Sequence, residues 1–291
     1  PWKREEKEVT AEFKKGTAGR FAPGLPAKGD GQLLFMLNGL AKLKDDGQMA
    51  IIQNGSSLFN GDAGSGPSEI RRYLIENDWL DAIVQLPNNA FYNTSIATYI
   101  WIVVKNKPAT HQGKVQLIDA SACCSARRKN IGSKNVDITK DCRDLIIEAY
   151  GAYVDGTYKG VDENDNAIVV KSKVMDSIEL GYNKIVVETP QLDDNGNVVT
   201  KNGKPVADAT KRDTENVPLA EDIDAYFERE VIPYNPQAWI DKAKTKVGYE
   251  IPFTRTFYEY KQIEPSDRIA ARIEEYEKRL MLKLHDLFGG E

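Results

Sequence analysis

The sequence predicts an α/β protein whose sheet has an antiparallel last strand, extended by an α+β region that ends in a long helix. Three observations predict it. Between residues 30 and 105, short apolar runs alternate with amphipathic segments in the order helix, strand, helix, strand, strand, which argues for a parallel sheet covered on both faces. The last two strands leave no room for a crossover helix, so they are expected as antiparallel neighbours. Beyond about residue 120 the pattern changes to short β runs broken by turn residues, followed by a terminal seam at helical spacing.

Each element has its own signal. Residues 1–29 are polar and rich in Lys, Gly and Pro, and read as a loop with one short helix. Asp30 is a suitable N-cap for a helix carrying Leu33, Leu34, Leu37, Leu40 and Ala41, and Gly47 marks the turn out of it. QMAIIQ (48–53) is a short apolar run expected as a buried strand. Pro67 falls in the first turn of a second helix, where the missing amide costs nothing. LDAIVQL (80–86), IATYIWIVV (96–104) and KVQLI (114–118) follow as strands. Thr139 is placed to cap a helix with Leu145, Ile146, Ile147 and Tyr150. Asn195-Gly196 and Asn202-Gly203 are expected to close hairpins. Residues 207–222 are polar and expected to be exposed. From Ser266 to Phe288, Ile269, Ile273, Tyr276, Leu280, Leu284 and Leu287 recur by threes and fours, a seam suited to packing on other helices.

Composition narrows the function classes. The 291 residues carry 39 Lys and Arg against 44 Asp and Glu, a formal charge of −5, so a general nucleic-acid coat is excluded and any DNA contact must come from a local basic patch. Three cysteines and two distant histidines support neither a disulfide scaffold nor a structural zinc site, and they suit a reducing cytoplasm. No segment is long and apolar enough for a membrane helix.

Several local patterns carry chemistry or imitate it. GDAGSG (61–66) precedes a helix, but its spacing matches no phosphate-binding fingerprint, and a connector is the better reading. Tyr234-Asn235-Pro236-Gln237 is a turn between helices. Arg127, Arg128 and Lys129 with Lys134 form the best phosphate-binding candidate, weighed evenly against a solvated loop. Arg71 and Arg72 read as a solvated helix face. Phe91 and Tyr92 sit between two strong strands among Asn88, Asn89, Asn93 and Thr94. A ring there could stack on a nucleobase, or plug the sheet edge, which spacing alone favours. Cys123-Cys124 reads as incidental, His285 as a surface residue, and no Ser-His-Asp arrangement can be built.

The blocks SEIRRYLIENDWLDAIVQLP and FYNTSIATYIWIV, with KVQLIDAS, LGYNKIVVETP and KTKVGYEIPFTRTFYEY, closely resemble the modification (M) subunit of type I restriction–modification systems, which are adenine-specific DNA methyltransferases. The resemblance implies the C-terminal half of a class I S-adenosylmethionine-dependent methyltransferase sheet, with QMAIIQ as fifth strand, DAIVQL as sixth and IATYIWIVV as the antiparallel seventh. It implies a base pocket walled by Phe91, Tyr92 and Asn93, with Asn54 on the same rim; Arg127, Arg128, Lys129 and Lys134 remain, from the residues themselves, the candidates for DNA contact. S-adenosylmethionine is the implied cofactor. A specificity subunit, a nuclease subunit and double-stranded DNA are the implied partners, and the terminal helix is the implied docking element.

The departures are also specific. The family's glycine-rich cofactor turn and its Asn-Pro-Pro-Tyr/Phe motif are absent, and the chain opens at Pro1-Trp2-Lys3 as though cut just after the latter. The expected organisation is therefore residues 1–120 as the second half of a catalytic domain, 121–264 as an α+β extension and 265–291 as a subunit-packing helix. A chain of this kind is expected to be a fragment, inactive alone, with the fifth strand left as an open edge. The rival expectation is a non-catalytic module that docks a specificity or nuclease subunit.

Overall fold

A computed structural model describes residues 2–260 and 263–288; Pro1, at the expected break, lies outside them. The chain divides into two units, residues 1–256 and 257–291. The first begins with α1 (Glu6–Phe13), α2 (Gln32–Leu40), β1 (Gln48–Asn54), α3 (Ser56–Phe59), α4 (Gly66–Glu76), β2 (Leu80–Gln85), β3 (Thr98–Val104) and β4 (Lys114–Asp119). It continues through β5 (Ser125–Ile131), β6 (Lys134–Asp137), α5 (Lys140–Ala152), β7 (Gly156–Val161), β8 (Ala167–Asp176) and β9 (Gly181–Glu188). Then come β10 (Thr200–Lys201), β11 (Lys204–Pro205), β12 (Asp213–Pro218), α6 (Ile223–Glu230), β13 (Trp239–Ile240), β14 (Lys246–Tyr249) and α7 (Phe253–Thr256). The second unit holds α8 (Ser266–Phe288), whose bounds match the predicted seam.

The main sheet is mixed, with the order β1-β3-β2-β4-β8-β7. The expected antiparallel pairing of β2 with β3 is present. A simple parallel sheet is not: β3 also lies antiparallel on β1 and so separates it from β2, leaving β2 and β4 as a parallel pair. β3 can hold this central place because both its faces are apolar. Tyr99, Trp101 and Val103 are buried on one, and Ile100 and Ile102 pack on the other against the cluster of Val84, Ile118, Cys142 and Leu145 from beneath α5. On α2, Leu33, Leu34 and Leu37 close over Trp2, Val9, Phe21 and Ile70.

Four local expectations are corrected. QMAIIQ is not a buried strand: among the described residues β1 pairs on one side, with β3, and Ile52 remains 50% exposed. The basic segment after residue 124 is a hairpin rather than a loop. Within 207–222, β12 joins β9, and Val217 is buried because it faces α6, not solvent. Arg71 is fully buried instead of solvated.

Arg71 shows why a charged residue can sit inside. Its Nε donates to the Tyr249 carbonyl at 2.5 Å, and its terminal nitrogens reach the carbonyls of Ser57 (3.1 Å), Asn60 (2.9 Å) and Gly61 (3.3 Å). The planar fork thus binds together α4, the turn after α3 and β14. Burial pushes its guanidinium down to about 10, so it stays charged at neutral pH. Ser68, one turn away, accepts the Tyr249 amide at 3.0 Å and completes the junction. Arg71→Met should lower stability by about 2–4 kcal/mol, since four carbonyls, those of Tyr249 and Ser57 in buried contacts, lose their donor. A drop in the urea midpoint at unchanged slope checks this.

Candidate nucleic-acid interface

One edge of the main sheet gathers most of the predicted site. β1 and β2 both run against β3, and β4 runs with β2, so the carboxyl ends of all three lie together. Open α/β sheets place their ligands at such an edge. Here it carries Asn54 at the end of β1, the 86–97 loop after β2, and the short link from β4 into β5.

Asn54 is held by a polar network. Its Oδ1 accepts from Gln32 Nε2 (2.8 Å), the Ser56 amide (3.0 Å) and Ser56 Oγ (2.6 Å), while its own amide donates to Gln32 Oε1 (3.0 Å). Asp30 Oδ2 lies 2.7 Å from Ser56 Oγ and 3.0 Å from Gln32 Nε2. Asp30 Oδ1 also accepts the Gln32 amide at 3.2 Å, but the expected N-cap is displaced by one residue: Gly31 occupies the cap position of α2, and Asp30 serves this network instead. With Oδ1 saturated, the Asn54 side-chain NH2 remains as a donor without a partner among the described residues.

The 86–97 loop sorts its two aromatic rings. Asn89 and Asn93 take positive φ (57° and 54°), a conformation that asparagine tolerates better than most residues. Phe91 turns inward and packs on the cluster containing Val84, Leu86 and Cys123. Tyr92 points out, 65% exposed, beside exposed Asn93. A single bridge between Phe91 and Thr94 closes the loop.

The β5–β6 hairpin sits against this loop. A Cβ on Gly132, at its turn, would stand 2.6 Å from Asn93 Oδ1 and 2.9 Å from Tyr92 Cε2, so glycine is required by both the contact and its φ of +57°. The Asn135 amide donates to the Asn89 carbonyl at 3.2 Å. At the hairpin base, Ser125 Oγ donates to Asp162 Oδ2 at 2.6 Å. Asp162 also caps the β7–β8 turn, accepting the amides of Asn164 and Asn166, each at 2.9 Å. The hairpin that carries the four basic residues therefore packs against the loop of Tyr92 and Asn93, which sequence separation alone does not reveal.

Their charges are not equivalent. Arg127 bonds both oxygens of Asp137 (2.6 and 2.5 Å), and Lys134 Nζ lies 2.9 Å from the same carboxylate. Arg128 and Lys129 are exposed and have no ion-pair partner among the described residues.

Of the remaining candidates, Cys123 is buried in the β4–β5 link itself and His111 lies at the opposite end of β2. Cys123 donates to the Cys142 carbonyl at 3.7 Å, and burial pushes its thiol well above the ordinary range, which makes it inert. His111 is 2.9 Å from the buried Asp81 carboxylate and stacks on Tyr153 at 3.4 Å, near the amino end of β2. The turn 234–237 lies between α6 and β13 rather than between helices. On α8, Ile269, Ile273, Tyr276, Leu280, Leu284 and Leu287 are all exposed.

The glycine-rich loop 61–66 does not fit S-adenosylmethionine. Asp62 pairs with Lys184 at 2.6 Å, and a Cβ on Gly66 would stand 1.9 Å from the Leu25 carbonyl, so close packing accounts for that glycine. The described residues include no other glycine-rich turn from a strand into a helix.

A model of the N-6 DNA methylase family matches residues 1–189. The chain belongs to the N-6 DNA methylase family. Among curated proteins, this methylase chain is 34% identical over 128 residues to the type I restriction enzyme MpnII methylase subunit of Mycoplasma pneumoniae, covering 43% of this chain and 22% of that protein. It is 31% identical over 109 residues to the MjaIX methylase subunit of Methanocaldococcus jannaschii, covering 37% and 19%. The match thus spans about a fifth of these relatives. A solved type I methyltransferase subunit from Streptococcus thermophilus is 27% identical, with a TM-score of 0.46 over 58% of this chain and 31% of that one.

Asp162 supplies a pH test of the hairpin anchor. The Ser125 hydroxyl, then the Asn166 amides, hold its carboxyl down at about 2, below the ordinary 3.8. A depressed carboxylate stabilises the fold fully above its unfolded value and loses that contribution as pH falls through its folded one. The stability difference between the parent and Asp162→Asn should therefore be constant above about pH 5 and vanish toward pH 2. Denaturant titrations across that window measure it.

Proposed function

We propose that this chain forms part of a type I restriction–modification methylase that transfers a methyl group to the exocyclic amine of adenine in double-stranded DNA. What carries the reading is the meeting of Asn54, the Tyr92 loop and a basic hairpin at one carboxyl edge, in a chain of the N-6 DNA methylase family. The antiparallel β3 between β1 and β2, which share a direction, supports the second half of a class I methyltransferase sheet.

On this reading the target base leaves the duplex and enters the cleft at that edge. Phe91 anchors the loop, Tyr92 offers the stacking face, and Asn93 and Asn54 offer hydrogen bonds to the base edge. The donor left on Asn54 suits a ring nitrogen acceptor. Arg127, Arg128, Lys129 and Lys134 lie where the duplex backbone would pass. S-adenosylmethionine, as methyl donor, would be held by residues other than those described, so the isolated chain is expected to be inactive. Residues 1–120 would serve the catalytic sheet and 121–264 the DNA side, in a cytoplasmic enzyme.

The test is Tyr92→Ala in the intact methylase. One lost base–aromatic stack of about 1–3 kcal/mol predicts a fall in kcat/KM for adenine methylation of roughly 5- to 150-fold. A parental rate would remove Tyr92 from the pocket.

A second reading rests on α8. Its exposed Ile/Leu seam favours docking of a specificity or nuclease subunit, with 265–291 as the packing segment. Deleting residues 266–291 should abolish pull-down of the specificity subunit while leaving the first unit's unfolding transition in place. Retained capture would argue against docking through this helix.

A further inference from the structure

The β5–β6 hairpin does not present four equal cations, and the way it is built divides them. Between the pairs Ala126↔Val136 and Ile131↔Lys134, residues 127–130 of β5 stand opposite Asn135 alone. The basic triplet therefore lies in a bulge, and bulges re-aim side chains away from the ladder. Arg127 turns back across the bulge: its Nε donates to the Lys129 carbonyl at 3.2 Å, and its terminal nitrogen reaches Asp137. Lys134 converges on the same carboxylate from β6. Arg128 and Lys129, on the crest of the bulge, face solvent. The hairpin as a whole is pinned to the 86–97 loop through Gly132 and Asn135.

We propose that this hairpin is a phosphate clamp for duplex DNA in which Arg128 and Lys129 make the contacts, while Asp137 holds Arg127 and Lys134 out of them. The proposal rests on the reading of the neighbouring edge as a target-base cleft. Arg127 is then a positioning residue that shapes the bulge. The acidic pair to it sets how strongly the hairpin grips any duplex, regardless of sequence. Such restraint suits a surface that must release non-target DNA, because phosphate contacts raise specific and non-specific binding alike. The pinning of the hairpin to the Tyr92 loop means that a bound backbone is held next to the exposed ring. Lys134 and Arg127 pull the Asp137 carboxyl below its ordinary range, as firm pairing requires.

Salt dependence separates the cations. Each phosphate neutralised on B-form DNA contributes about 0.9 to the slope of log K against log salt. In the intact methylase, with random-sequence duplex DNA as the probe, Arg128→Ala and Lys129→Ala should each reduce that slope by about one, and the double variant by about two. Lys134→Ala should leave it at the parental value. Asp137→Asn should steepen it by up to about two and tighten binding at low salt, because two more cations are released. A double variant with the parental slope overturns the proposal, as does Lys134→Ala costing as much as Arg128→Ala, or Asp137→Asn changing nothing. If the double variant instead loses capture of another subunit while its DNA slope stays parental, the hairpin is a protein contact. Methylation by the parent enzyme is scored separately. A parent that shows these slopes but methylates no adenine overturns the function proposed above and leaves the clamp standing.

Discussion

β3 pairs along its length with two strands at once, and that double ladder decides where everything at the carboxyl edge can stand. An antiparallel strand between two others forces them to share a direction, so Asn54 and the start of the 86–97 loop emerge side by side. β4, parallel to β2, then delivers the chain to β5 at the same edge. The requirement on the sequence is severe: a strand covered on both faces must be apolar through its middle, and after Thr98 β3 reads YIWIVV. A charge anywhere inside it would be desolvated without a partner. The edge chemistry depends on this apolar strand more than on any polar residue near it.

How much of this was legible in the sequence follows from the range of each interaction. Helices and strands set by local periodicity were readable: the Thr139 cap, the strands at 80 and 114, and the full span of α8. The insertion of β3 between β1 and β2 was not, because strand order is fixed by packing between distant segments. Arg71 looked like surface because it neighbours Arg72, which does stay exposed and pairs with Glu76. What buries Arg71 is a carbonyl 178 residues away. Likewise the candidate residues were found one by one, but the contact of Gly132 with Tyr92 and Asn93 was invisible. The polar partners of Asn54, namely Asp30, Gln32 and Ser56, carried no motif; their only signal was a run of small polar residues after an apolar strand.

Charge is used locally against the overall balance. The chain is net acidic, so approach of DNA is opposed everywhere except where cations are clustered. Clustering four cations on one small hairpin carries its own repulsion, which Asp137 relieves by pairing two of them. On the proposed reading, the same carboxylate that offsets this repulsion lowers the hairpin's attraction for phosphate. Folding and binding compete for the same charges, and the bulge resolves the competition by turning Arg128 and Lys129 away from the pair.

β1 presents the opposite problem, an element less satisfied than its composition demands. MAII is apolar enough for the interior, yet Ile52 is half exposed and the outer row of backbone donors and acceptors meets no strand among the described residues. Edges of this kind are normally shielded by charge, proline or a bulge, and β1 has none of these along its register with β3. An unshielded apolar edge is tolerable when another strand covers it in the working protein. That argument is independent of the family relationship: it marks the outer side of β1 as the place where a further strand would be accommodated. The polar network around Asn54 stands at the carboxyl end of that same open strand, so a strand added there would extend the carboxyl edge past Asn54 rather than end it.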